Sequence, residues 1–485
     1  MGPENVNVEE RRIGIESREE KPHVYQEENV EHLNKSAHAI AERGQEATDR
    51  RGQSLVTFDP IAERKLRLKI DLMIVPTVAL LYLFCFIDRA NIGNAKLAGL
   101  EKDLKMAGYD YNKVLSIFYI SYIVFEIPAN MACKWIGPGW FIPATSLAFG
   151  ICSIATAFVH NVPTISIVRF LLGVFEAGMM PGIAYYLSRW YRRSELAFRL
   201  SLYIVMAPLA GAFGGLLASG ILKLSSFGTL RTWRMIFAIE GIITCCLSVI
   251  AFLTLTDRPA TAKWLTQEEK DLAIARVKSE RVGATEVLDA FDSKKILRGI
   301  FSPVTIATSL IFLLDNITVQ GLAFFAPTIV KTIYPKATVV SQQLHTVPPY
   351  IVASTEAQTR YGATFLIASG AFSFGALCNA QVAANVVSDT ARSSAIGTTV
   401  MMGNVGGLIS TWSFLPNDAP NYHIGNGLNL ATSTATLLLS IGLLLWMKMD
   451  NKKRDRRDVD AELDGLSQRQ IQDLDWRHPG FKWKP

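Results

Sequence analysis

The sequence predicts an all-α polytopic membrane protein, with two lobes of transmembrane helices joined by a long polar linker. Three observations carry this. Hydrophobic residues fill 49% of 485 positions and charged residues only 19%, with a mean hydropathy of +0.22. The charge gathers at the two ends and in one central stretch, which leaves apolar runs long enough to cross a bilayer. Basic residues flank those runs instead of forming a stripe, so the net charge of +6 does not point to nucleic acid.

Residues 1–59 are polar, almost free of aromatics, and expected to be a disordered tail. There is no apolar signal-peptide core before Ile70, so the first span would act as its own insertion signal. Arg64, Lys65, Arg67 and Lys69 precede it and place this end in the cytoplasm. Six spans are expected in residues 60–256, near Leu68–Ala90, Val114–Trp135, Trp140–Val159, Thr164–Trp190, Ala197–Leu222 and Trp233–Leu255. Residues 257–299 form the linker, in which Thr266-Gln267-Glu268-Glu269 matches a capping box that opens an amphipathic helix.

Residues 300–449 hold four more spans, Val304–Ile329, Tyr361–Val387, Ser393–Phe414 and Gly427–Met447. Between Lys331 and Arg360 only Val347–Ala353 is apolar, too short to cross about 30 Å as a helix. The count is therefore about ten. An even number keeps both ends inside, as does the basic run Lys452–Arg457 that opens the tail at 450–485.

Two apolar spans carry ionisable residues, which at such depth read as functional by default. Asp88-Arg89 lies about 30 Å along the first span from Leu68. Arg169 and Glu176 lie two turns apart on one face of the fourth, Glu176 about 18 Å in. Both charge pairs fall in the outer half of the first lobe. The bland reading is a salt-bridge cluster that only fixes helix packing, and it weighs most on Asp88 and Arg89, near a helix end. Glu126 and Glu240 are expected to be packing hydrogen-bonders near their helix ends. Asp315, Asn316 and Gln320 in the seventh span, and Asn379, Gln381 and Asn385 in the next, could orient a ligand, though such amides more often join helices. Gly211–Gly215 and Gly403–Gly407 each contain GxxxG and are expected to mark close packing. The six cysteines read as small hydrophobes, and no spacing suggests a metal or a cofactor.

Together these stretches resemble the fungal anion:cation symporter branch of the major facilitator superfamily. The resemblance rests on Asp88–Ala95, Phe125–Asn130, Arg169–Gly182, Trp190–Glu195 and Arg258–Thr266, and covers about Asp59 to Arg457. It implies proton-coupled plasma-membrane uptake of a small organic anion, a carboxylate such as nicotinate or allantoate. By motif position, Asp88 and Glu176 would be the proton-coupling carboxylates, with Arg89 and Arg169 as their partners and the anion-binding cations. Gln320 and Asn385 would complete the substrate site. Family members have twelve spans, so the second lobe is expected to lack two helices. That keeps a second reading open: a non-transporting sensor or inactive pseudo-transporter. A membrane enzyme ranks third, because no nucleophile–base pair or metal spacing appears.

Overall fold

The computed structural model describes residues 58–279, 293–333 and 374–485, apart from 225, 227, 376, 387–388, 419–421, 467–469 and 471–473. The expected N-terminal tail, the Val347–Ala353 stub and the first part of Tyr361–Val387 lie outside them. Seven helices among the described residues are long and apolar enough to span a membrane, eight with the bent pair Phe198–Gly211 and Phe213–Ile221.

Helix α1 runs Pro60–Leu97. The Asp59 carboxylate accepts from the N–H groups of Ile61 and Ala62, and Pro60 occupies the first turn, where a missing N–H does no harm. Helices α2 (Asp110–Ile136) and α3 (Pro138–Thr156) follow. The expected fourth span is two pieces, α4 (Val162–Glu176) and α5 (Met179–Trp190). The break falls at Ala177-Gly178, where Pro181 has no N–H for the carbonyl of Ala177. The fifth is likewise α6 (Arg193–Ile204) and α7 (Met206–Ile221), and Pro208 leaves Ile204 without its helical donor. Helix α8 (Trp233–Thr254) completes the first lobe and packs on α3.

The linker helix α9 (Gln267–Lys278) starts at the expected capping box, with both reciprocal bonds of Thr266 and Glu269 present. It docks on the first lobe through Arg276, which is buried between Glu63 of α1 and Glu195 of α6. Arg67–Glu195, Lys69–Glu269 and Asp71–Arg199 ion pairs surround it. Residues 280–292 of the linker lie outside the description.

In the second half, α10 (Pro303–Ile333) packs along α11 (Asp389–Ser410), and α12 (His423–Arg454) packs on α10. Of the two GxxxG stretches, only the second is a close contact. A methyl at Gly406 would lie 2.2 Å from the Leu313 carbonyl, whereas one at Gly211 would meet nothing within 4 Å. The expectation of close packing is therefore corrected at Gly211, whose side of α7 is open.

Helices α2 and α11 zip the two halves together. The side-chain amide of Asn112 donates to the Thr411 carbonyl at 2.6 Å, and Trp412 Nε1 to Ser116 Oγ at 2.9 Å. Further along, Lys134 donates to Thr390, and the Asn130 amide to the Ser393 carbonyl.

The C-terminal tail packs back on the bundle. Phe481 and Trp483 cluster with Met447 of α12 and Val304 of α10. Asn451 of α12 brackets the backbone of Trp483 with a donated and an accepted bond, at 2.7 and 2.8 Å. Asn385 does the same to Lys484, at 3.0 and 2.8 Å. Nη1 of Arg454 donates to the carbonyls of Trp476, His478 and Phe481.

Candidate functional site

Asp88 and Arg89 are neighbours on α1, so their side chains leave the helix about 100° apart. Both are at least nine-tenths buried, as are Arg169 and Glu176. Arg89 turns to the middle of the bundle and pairs with Glu176 through its Nε. Cys85, one turn earlier, donates its thiol to the same carboxylate oxygen at 2.7 Å. Three rings enclose the guanidinium: Phe86 at 4.9 Å, Phe118 at 5.5 Å and Tyr122 at 4.8 Å from the ring centroids. The aromatic faces favour the cation and exclude water from the pair.

Asp88 turns the other way, into the seam between α1, α3 and α8. Ser153 of α3 donates to it at 2.5 Å and lies 3.4 Å from the Phe237 carbonyl. Arg169 lies over the Phe237 ring at 5.5 Å. Its Nε and Nη2 find no hydrogen-bond partner among the described residues. Of the four charges, Arg89 and Glu176 form an ion pair, while Asp88 and Arg169 lie on either side of Phe237 without one among the described residues. Sharing one face of the fourth span does not make Arg169 and Glu176 partners of each other.

A cavity opens between the halves beside Arg89. Tyr82, Phe86 and Tyr122 line it from α1 and α2, Phe312, Asp315, Asn316 and Gln320 from α10, and Asn404 from α11. Of the six expected site residues, Arg89 and Gln320 are on this wall. Glu176 reaches it through Arg89, and Asp88 and Arg169 form the layer behind. Asn385 is elsewhere: its amide is spent on the Lys484 backbone and the Gln381 carbonyl.

Glu126 and Glu240 do not lie near helix ends. Glu126 is in mid-α2, fully buried, and accepts from Asn404 of α11 at 3.4 Å. Glu240 lies two turns into α8, and neither of its carboxyl oxygens has a partner among the described residues. Cys85, expected to be a plain hydrophobe, is the thiol on Glu176. No local pattern announces the Asn404–Glu126 and Cys85–Glu176 contacts, because each partner sits on another helix. The one available signal was a carboxyl inside an apolar run.

A sequence model of the Major Facilitator Superfamily matches residues 78–411. The chain belongs to that superfamily. It is a secondary transporter and not an enzyme. It is 30% identical to the MFS-type transporter efuF of Hormonema carpetanum, over 90% of this chain and 96% of that one. It is 27% identical to the high-affinity nicotinic acid transporter of Saccharomyces cerevisiae, over 94% of this chain and 91% of that one. The efuF alignment has 479 positions, about 40 more than 90% of 485 residues, so about 40 positions of that relative face no residue here. Among solved structures, the proton:xylose symporter XylE superposes with a TM-score of 0.56 at 14% identity, over 76% of this chain and 95% of that one. At that identity the likeness shows the fold alone.

Proposed function

We propose that the protein couples proton movement to uptake of a small organic anion, a carboxylate, across the plasma membrane, with both termini cytoplasmic. The observation that carries this is the buried Arg89–Glu176 pair on the wall of the cavity between the halves. With Glu176 ionised, Arg89 is neutralised and has little attraction to spare. A proton on Glu176 frees the guanidinium, whose planar fork then takes a substrate carboxylate. Anion and proton enter together, and the buried charge changes little. Asp88 and Arg169 lie one layer behind, where Asp88 is the second carboxylate that could take the proton. The basic flanks of α1 and α12 support the cytoplasmic ends. The kinship with a nicotinic acid transporter supports a carboxylate.

Glu176→Gln mimics the protonated state and tests the coupling. In proteoliposomes with labelled nicotinate as the probe, the variant should exchange substrate across the membrane at a rate within severalfold of the parent. It should fail to accumulate substrate when an inward proton gradient is imposed. Accumulation that persists with normal pH dependence would remove Glu176 from the coupling role and leave Asp88.

The surplus of about 40 positions in the alignment favours a second reading, in which two helices are missing from the second half and the chain as written does not transport. Binding of nicotinate without exchange in the parent, and exchange after two helices are restored, would establish that reading.

A further inference from the structure

We propose that the substrate is a zwitterion: besides the carboxylate held by Arg89 it carries a protonated amine, and Asp315 receives it. This rests on the function proposed above and names the chemical class of the substrate.

Asp315 lines the same cavity as Arg89 but from the opposite half of the molecule, on α10. It is 7% exposed. No hydrogen bond or ion pair reaches its carboxylate among the described residues. Its neighbours are committed elsewhere. The Asn316 amide donates to the Phe312 carbonyl at 3.3 Å, and Gln320 donates to Asn316 at 3.4 Å. The Asn404 amide serves the Val400 carbonyl and Glu126. Glu126 is the other carboxyl nearby, but it has Asn404 as a partner and Arg89 within electrostatic reach. Asp315 has neither.

The charges of the site decide what can fill it. Arg89 is paired with Glu176, so Asp315 is a cavity-lining carboxyl with no counter-ion of its own among the described residues, and Glu126, behind Asn404, is a second buried carboxyl without an ion pair. A carboxylate buried without a partner is unfavourable, and either a proton or a cation must relieve it. A plain monoanion would bring a second negative charge towards it. A zwitterion brings the missing cation: its carboxylate meets Arg89 once Glu176 is protonated, and its ammonium meets Asp315. Both charged side chains that line the cavity then face an opposite charge. Phe86, Tyr122 and Phe312 supply aromatic faces between the two poles, which suit either a ring or the flank of an ammonium. The electrical consequence follows. One proton moving with a monoanion carries no net charge, whereas one proton moving with a zwitterion carries one positive charge.

The test compares two ligands that differ at one end. The full chain in lipid nanodiscs is titrated at about pH 6 with 4-(aminomethyl)benzoate, a zwitterion, and with 4-methylbenzoate, its uncharged-tail analogue, with nicotinate as the reference carboxylate. The zwitterion should bind at least tenfold more tightly than 4-methylbenzoate, and Asp315→Asn should bring the two within about twofold. The ratio in the unmutated protein needs no variant to fold. Equal affinity for the two benzoates alongside measurable nicotinate binding would overturn the zwitterion assignment and spare the anion site. A preference that survives Asp315→Asn would overturn the role of Asp315. No binding by any of the three would sink both this inference and the function it rests on.

Discussion

The two halves of the molecule line one cavity with different chemistry. The first half contributes full charges: Arg89, paired with Glu176 at the cavity, and Asp88 and Arg169 in the layer behind. The second contributes amides bonded within their own helices, of which Asn404 also reaches Glu126 of α2, together with one carboxyl, Asp315, that has no partner among the described residues. Paired charges can be rearranged by a single proton. Helix-bound amides cannot, so they keep their shape through a cycle. In the function proposed above, the first half holds the groups that change state, Arg89 and Glu176, and the second half holds amides that shape the facing wall.

The comparison breaks most severely at Arg89. Arg89→Met keeps length and apolar contact with Phe86 and Tyr122 but strands Glu176 in the bundle. Breaking a buried pair from one side costs about 3–5 kcal/mol. The variant should lose most of its folded yield, and double variants with Glu176→Gln should recover it, as read by monodisperse protein after detergent extraction. If Arg89→Met is as stable as the parent, the pair is not held in the desolvated state described here.

A change in the second half should act on packing and spare the charges. Gly406→Val drives a branched side chain into the Leu313 carbonyl, and overpacking costs about 1–3 kcal/mol. The thermal midpoint in detergent should fall by several degrees. Gly211→Val, on the open side of α7, should move it far less. Equal shifts at both positions would show that the α10–α11 contact is looser than it is drawn.

The link between the halves is finer. Asn404→Ala removes the hydrogen bond to Glu126 across the α2–α11 seam, worth about 1 kcal/mol on average. It should alter the relative rates of substrate entry and exit more than folded stability, measured by exchange from each side of the membrane.

The smallest effect lies outside the membrane. Burial works against the charge on Glu269, but the Lys69 ammonium and the Thr266 N–H outweigh it and hold the carboxyl below its usual range. A depressed carboxylate adds stability above its unfolded pKa and loses it as pH falls through the lower folded value. Docking of α9 should therefore be unaffected between neutral and mildly acidic pH and loosen only below the ordinary glutamate range. Proteolysis of the linker as a function of pH checks this. Loosening near neutrality would contradict it.

Much of this was legible without coordinates. Spans were readable because a bilayer demands about 20 apolar residues in a row, and the capping box because its four residues are contiguous. Asp88, Arg89, Arg169 and Glu176 stood out because charge in an apolar run is rare. Their pairing was not readable, since which of two adjacent side chains faces the cavity depends on how α1 is rotated against α4. The place of Asn385 was open for the same reason: an amide in a span could face a ligand or another stretch of backbone, and here it bonds Lys484. The breaks at Gly178 and Val205 escaped because Pro76, Pro128 and Pro143 sit in helices that stay whole.

The docked tail has a mechanical consequence. Asn385 and Asn451 grip adjacent residues of one short peptide from two helices, and Arg454 gathers three of its carbonyls. The tail therefore acts as a tie rod. In any rocking of the halves, α12 and the segment that carries Asn385 should be kept from sliding independently. They should then move as one body, which would leave the flexing of the proposed cycle to the α2–α11 seam and the two broken helices of the first half.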